Sequence, residues 1–200
     1  YAQKQLLSPS RLVRGSHGSR FRLARELVAP FAGRRLLDYG CGDGTFLASV
    51  QDLFPEALGV DVAADQVADC ASRFAGSPGI AFLSTSSLND PRHRHRYQVA
   101  VCMEVLEHCP EDIQIAVLDD VLAVTTADAT VVISVPIEIG PPLAAKQGAR
   151  ALVALGGVSA YASRERYRPG ELARMLFAGA DTAIPRVEYE GEAGSRFTGH

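Results

Sequence analysis

The stretch Leu36-Leu37-Asp38-Tyr39-Gly40-Cys41-Gly42-Asp43-Gly44-Thr45-Phe46-Leu47 constrains this chain more than any other. Two aliphatic residues lead into an acid, glycine then recurs at every second position, and an apolar-periodic run begins. A buried strand, a tight turn and a helix start account for that order. Glycines this close together mean that the backbone bends sharply, and that something approaches it where a Cβ would collide. A helix beyond such a turn presents free N–H groups. Dinucleotide folds space these glycines as G-x-G-x-x-G, with the pyrophosphate on the helix N-terminus. Here the spacing is G-x-G-x-G with Asp38 in front, and that acid repels an anion but attracts a ligand carrying an ammonium group.

The chain repeats the strand–helix alternation of a doubly wound α/β fold. Strands are expected at 35–39, 57–62, 80–83, 97–103, 130–136 and 183–190, and helices at 44–53, 65–74, 112–124, 141–155 and 167–177. Pro55, Gly76, Pro78 and Gly79 close the first two helices. Strand 130–136 is β-branched throughout, so burial on both faces is expected. In helix 112–124, Ile113, Val117, Leu118, Val121 and Leu122 fall on one apolar face. The second strand ends in Asp61, which a parallel β–α–β unit sets beside the glycine turn. An acid there can accept both ribose hydroxyls of a nucleoside, an arrangement that NAD folds share.

Three stretches, Asp38-x-Gly40-x-Gly42-x-Gly44, Asp61 and Cys102-Met103-Glu104-Val105-Leu106-Glu107-His108, together resemble the class I S-adenosylmethionine-dependent methyltransferases, and in particular the ubiquinone-biosynthesis O-methyltransferase-like group. Ser134-Val135-Pro136 is similar to that family's fifth-strand ending. The resemblance implies a Rossmann-like, mostly parallel seven-stranded sheet, its last strand antiparallel and here missing or reduced to a fragment near 196–198. It implies methyl transfer from S-adenosylmethionine to an O or N atom of a small molecule, leaving S-adenosylhomocysteine. Asp38, Tyr39, Gly40, Cys41, Gly42 and Gly44 would hold the methionine part and Asp61 the ribose. Val62 and Ser86 would meet the adenine, and Cys102 and Met103 the sulfonium side. The family usually places an Asp after the third strand. This chain has Ser84-Thr85-Ser86-Ser87 there, with Asn89 and Asp90 as nearby alternatives.

Residues 102–108 leave the sheet at the rim where doubly wound folds bind ligands. His108 or Glu104 is a candidate proton acceptor, because a base helps when the nucleophile is a hydroxyl or an ammonium. Glu107 is a candidate substrate contact; Glu107 and His108 could instead brace the turn, or Glu104, Glu107 and His108 could hold a divalent metal. The small-RNA 3′-end methyltransferases have a similar Glu-x-x-Glu-His with a further distant His. The only His after this segment is the terminal His200, so no metal is expected.

The whole chain reads as one methyltransferase domain, with an N-terminal arm and helix at 1–33 and a helical substrate-side insertion at 137–168. In the resembling family a leading helix often folds over the cofactor, which puts His17 and Arg20 near the substrate; the alternative is a solvated arm. Pro91-Arg92-His93-Arg94-His95-Arg96 reads as a solvated basic connection. The apolar insertion fits an apolar acceptor, a membrane-surface or homodimer contact, or core packing.

The 200 residues suffice for one α/β core, and a net charge of −3 favours no nucleic-acid partner. No apolar run is long enough to span a bilayer. Four cysteines without a CxxC pair suggest reduced thiols and a cytoplasmic setting. The chain opens on Tyr1, not Met, and reads as trimmed. An NAD(P)-dependent oxidoreductase and a non-catalytic cofactor-binding scaffold are the competing readings.

Overall fold

Five strands, β1 (Arg35–Tyr39), β2 (Glu56–Asp61), β3 (Ile80–Ser84), β4 (Tyr97–Met103) and β5 (Thr125–Ser134), pair in the order β3-β2-β1-β4-β5, all parallel. The computed structural model describes residues 11–136, 140–141, 143–145, 148, 169–178, 188–190 and 196–198. They fall into two units, Tyr1–Leu106 with Ile115–Ser134, and Glu107–Gln114 with Val135–His200.

Parallel neighbours need crossovers, and helices supply them. These are α2 (Thr45–Val50), α3 (Ala64–Arg73) and α4 (Glu111–Val124), while α1 (Arg11–Val28) leads into β1. The chain winds outward from β1 through β2 to β3, then returns to lay β4 on the other side of β1. That reversal opens a crevice outside the carboxyl ends of β1 and β4, where open α/β sheets bind ligands.

Alternation sorts the side chains by face. Asp38 pairs with Gly59 and Val101, so Asp38, Asp61 and Met103 share one face. Deeper on that face Leu36, Ala57, Phe82, Val99 and Val101 pack with Phe46, Leu47 and Val50 of α2, Cys70 of α3, and Ala24 and Val28 of α1. Each large side chain buried there contributes about 1.5–3 kcal/mol. On the opposite face Leu37, Leu58, Val60, Ala100 and Cys102 are buried. There the Tyr39 hydroxyl donates to Asp120 of α4 at 2.9 Å.

Several expectations need correction. On α4 the buried stripe is Val117, Val121 and Val124, while Leu118 and Leu122 are exposed, so the core-facing stripe is narrower than the apolar one. Strand β5 is not buried on both faces. It begins at Thr125 and ends the five-stranded sheet with β4 as its partner, and Val131 and Ile133 are exposed. Nor is the basic connection wholly solvated, because His93 is buried.

In the second unit, α5 (Pro169–Leu176) buries Met175. Strands β6 (Glu188–Glu190) and β7 (Arg196–Thr198) form an antiparallel ladder with Tyr189 opposite Phe197. The described strands thus make a five-stranded sheet and a separate pair. Of the insertion expected at 137–168, residues 140–141, 143–145 and 148 are helical, and the rest lies outside the described residues. Among the described residues no helix is long and apolar enough to cross a membrane.

Candidate functional site

The glycine turn joins β1 to α2 through three left-handed positions, with φ of 76°, 52° and 71° at Gly40, Gly42 and Gly44. A Cβ on Gly40 would collide with the Val105 side chain on the β4 exit, so glycine there meets a conformational and a steric demand at once. The turn's amides are answered from within. Gly40 and Cys41 N–H donate to the Val60 carbonyl at 2.8 and 3.0 Å, and Gly44 N–H donates to the Cys41 carbonyl at 3.0 Å. Gly42 N–H donates to Asp61 Oδ2 at 3.0 Å. Thr45 donates to Asp43 Oδ1 through both its N–H (3.2 Å) and its hydroxyl (2.6 Å). A diphosphate seeks amides at such a turn, and these are already committed to the protein.

The acids behave differently. Asp38 is 2% exposed, and its Oδ2 is buried without a hydrogen-bond partner. Burial first, and the nearby Asp61 charge second, push its pKa up to about 8. A buried carboxyl oxygen left unanswered costs about 1–3 kcal/mol, and a cation placed against it removes that cost. Asp61, at the end of β2, accepts from Gly42 N–H with one oxygen and from Ala63 N–H (2.9 Å) with the other. The donor set therefore fits the ammonium end of an aminoacyl nucleoside, with a half-buried carboxylate beside it for hydroxyls.

The remaining cofactor candidates separate. Val62 is 77% exposed just past Asp61, leaving an apolar surface for a base. Ser86 is exposed, and its hydroxyl lies 3.1 Å from that of Ser84, which pairs with Asp61 in register. Met103 is on the Asp38 face, whereas Cys102 is 1% exposed on the other. The Cys41 and Cys70 thiols both turn to the Gly42 carbonyl, at 3.8 and 3.3 Å. Burial pushes both pKa values up, so they are neutral packing groups.

Helix α1 reaches this rim. Phe21 lies against Phe46 at the start of α2, with ring centroids 6.2 Å apart. One residue earlier, Arg20 forms an ion pair with Glu104, the first residue beyond β4. Glu104 has a φ of 57°. Its N–H donates to the Ser134 carbonyl at 3.0 Å, and its Oε1 accepts from the Ser134 hydroxyl at 3.1 Å. His17 belongs to α1, and its side chain lies outside the described residues.

Glu107 and His108 belong to the second unit. Glu107 is 5% exposed, and His108 is exposed with Nε2 3.8 Å from Glu107 Oε1. Three contributors escaped the sequence reading. Asp43 anchors the first turn of α2, Arg73 donates to the Asp43 carbonyl at 2.7 Å, and Ser134 holds Glu104. An acid two residues before Thr45 at a helix start was a legible signal for Asp43. The other two act across distant elements, and no local pattern announces them.

A family model described as a methyltransferase domain matches residues 17–176. The ubiquinone biosynthesis O-methyltransferase of Shewanella halifaxensis is 31% identical over 88 residues, which cover 42% of this chain and 37% of that protein. The chain spans little more than a third of the length of the curated relatives it matches. The PH0226 protein from Pyrococcus horikoshii shares the fold with a TM-score of 0.52 at 16% identity, over 65% of this chain and 61% of that one. The methyltransferase domain of a bacterial CtHen1 does so with a TM-score of 0.51 at 23% identity, over 58% of this chain and 65% of that one. By its sequence match and its fold, the chain belongs to the class I S-adenosylmethionine-dependent methyltransferases.

Proposed function

We propose that this protein transfers the methyl group of S-adenosylmethionine to an O or N atom of a small-molecule acceptor and releases S-adenosylhomocysteine. The observation that carries the reading is the buried, unpartnered Asp38 oxygen at the switch point, flanked by a turn whose amides are already used. S-adenosylmethionine supplies an electrophilic methyl on a sulfonium, which an acceptor lone pair displaces in line as the carbon–sulfur pair returns to sulfur. The chain's residues position that donor and take up the acceptor's proton.

Asp38 meets the α-ammonium and Arg20 the α-carboxylate, so the zwitterionic end lies between charges of the right sign. Asp61 accepts from the ribose hydroxyls, Val62 covers the adenine and Ser86 accepts from its amino group. Met103 faces the sulfonium, and Cys102 supports the strand from behind. The similarity to ubiquinone biosynthesis O-methyltransferases favours an oxygen acceptor. His108, with Glu107 beside it, is the acceptor-side base of this reading. The chain acts as one methyltransferase domain in which 1–33 and 137–168 shape the acceptor side.

Calorimetric titration with S-adenosylhomocysteine tests the reading. Micromolar binding with none of NAD(P)H supports it, and no binding of either methionine nucleoside at millimolar concentration overturns it. Transfer to metabolite pools then separates enzyme from scaffold. His108→Ala should lower turnover about 100-fold or more with cofactor affinity near wild type. Unchanged turnover would leave His108 a brace.

A further inference from the structure

The carboxyl end of β4 carries a feature that donor binding and proton transfer leave unexplained. Glu104 holds a left-handed backbone conformation without being glycine, asparagine or aspartate. Such residues are strained and persist where their surroundings over-determine them. Here three groups do so: the Ser134 carbonyl on the Glu104 N–H, the Ser134 hydroxyl on Oε1, and the Arg20 guanidinium on the other oxygen. The conformation turns the carboxylate toward α1 at the place where β4 leaves the sheet. Extended backbone at this residue would aim the side chain elsewhere.

Neither partner is at the open surface, with side-chain exposures of 29% for Arg20 and 24% for Glu104. A half-buried ion pair is less screened than one in full solvent, and the guanidinium's planar fork transmits orientation well. Arg20 sits one residue before Phe21, whose ring rests against Phe46 at the start of α2. Helix α1 is therefore held at two points on either side of the glycine turn, by an apolar contact over α2 and by charge over the β4 exit.

We infer that Glu104 is a positioning residue of the donor site. It aims the Arg20 guanidinium and pins α1 across the switch-point crevice. Its two oxygens each hold a partner on a different element, Arg20 on α1 and Ser134 on β5, so the carboxylate ties the leading helix to the sheet edge. The inference rests on the reading of this crevice as the donor site.

A double-mutant cycle read by calorimetry with S-adenosylhomocysteine tests it, and needs no acceptor. Glu104→Gln should weaken binding 5- to 50-fold and Arg20→Ala at least as much, with the double variant no weaker than Arg20→Ala alone. Arg20→Lys should recover part of the loss, since lysine keeps the charge without the fork. Ser134→Ala removes only one bond to Glu104. It should cost 2- to 5-fold in the wild-type background and nothing once Arg20 is Ala, and it reads the same coupling if Glu104→Gln does not fold. Wild-type affinity in Glu104→Gln, or losses that multiply in the double variant, would overturn the inference. So would full affinity with turnover abolished, which is the signature of a base. A wild-type protein that binds no S-adenosylhomocysteine refutes the donor site itself, a different result from any of these.

Discussion

The two ends of the parallel sheet both bury a titratable side chain, and they treat it in opposite ways. At the amino end of β4, His93 is 6% exposed but fully answered. Its Nε2 accepts from Arg92 Nε–H at 3.3 Å, which leaves Nδ1 to donate to the Tyr97 hydroxyl at 2.8 Å. Burial first, and the Arg92 charge second, lower its pKa, so the ring is neutral. Around it Arg35 and Arg96 share Glu56, at 2.7 and 2.9 Å. At the carboxyl end, Asp38 is as deeply buried, with an oxygen that nothing answers and a second acid close by. A satisfied buried polar group is architecture, and an unsatisfied one is a place kept for something else. The contrast is sharper than either observation alone, because one sheet and one core support both ends.

The largest expected effect lies at the unsatisfied end. Asp38→Asn should weaken S-adenosylhomocysteine binding by about 3 kcal/mol, as the loss of one member of a buried charged pair. The same variant should make the ligand-free protein more stable in alkali. The raised pKa of Asp38 means that the native state holds a proton the unfolded chain has lost, so its stabilising contribution is full below the ordinary value of 3.8 and fades as pH rises to about 8. An arriving ammonium reverses this by favouring the ionised acid. Titration near neutral pH should therefore release a proton, visible as a heat that depends on the buffer's ionisation enthalpy. Proton release unchanged in Asp38→Asn would break the comparison.

Asp61→Ala comes next, with about 1–3 kcal/mol of cofactor affinity lost through its charged hydrogen bonds. Unchanged affinity would move the ribose elsewhere. At the satisfied end, His93→Ala should cost about 2 kcal/mol of stability by thermal melting and leave cofactor affinity alone, since it strands the Tyr97 hydroxyl. Its pH signature runs the other way. The lowered His93 pKa stabilises the protein above about pH 6.5, and the contribution is lost as pH falls below that. Arg96→Ala should change least, because its pair with Glu56 is close to half exposed on each side and solvent screens it. A marked fall in melting temperature there would show that the amino end is a cooperative network and not a set of separate bonds.

Much of the fold is legible in the sequence, because parallel strands and their crossovers each bear a strong periodic mark. The order of β1 to β4 and the place of the glycine turn follow from apolar runs punctuated by glycine, proline and an acid. The sixth strand was expected at 183–190, of which 183–187 lie outside the described residues, and the seventh only as a fragment near 196–198, since a three-residue strand carries little pattern. The burial of β5 was misjudged because β-branched residues fit an edge strand as well as a central one. The string around His93 reads as solvated, since a charge-rich run does not show which of its members turns inward.

What the sequence determined by itself is the identity of the turn, its leading acid and the acid ending β2, because their chemistry depends on residue types at short, fixed separations. Only the tertiary structure could decide that an Asp38 oxygen lacks a partner while His93 has two, that Met103 and not Cys102 shares the Asp38 face, and that Arg20 meets Glu104. Each of those depends on which distant segments arrive at the same place. Hydrogen bonding and burial are settled by neighbours in space, and a linear string does not name them.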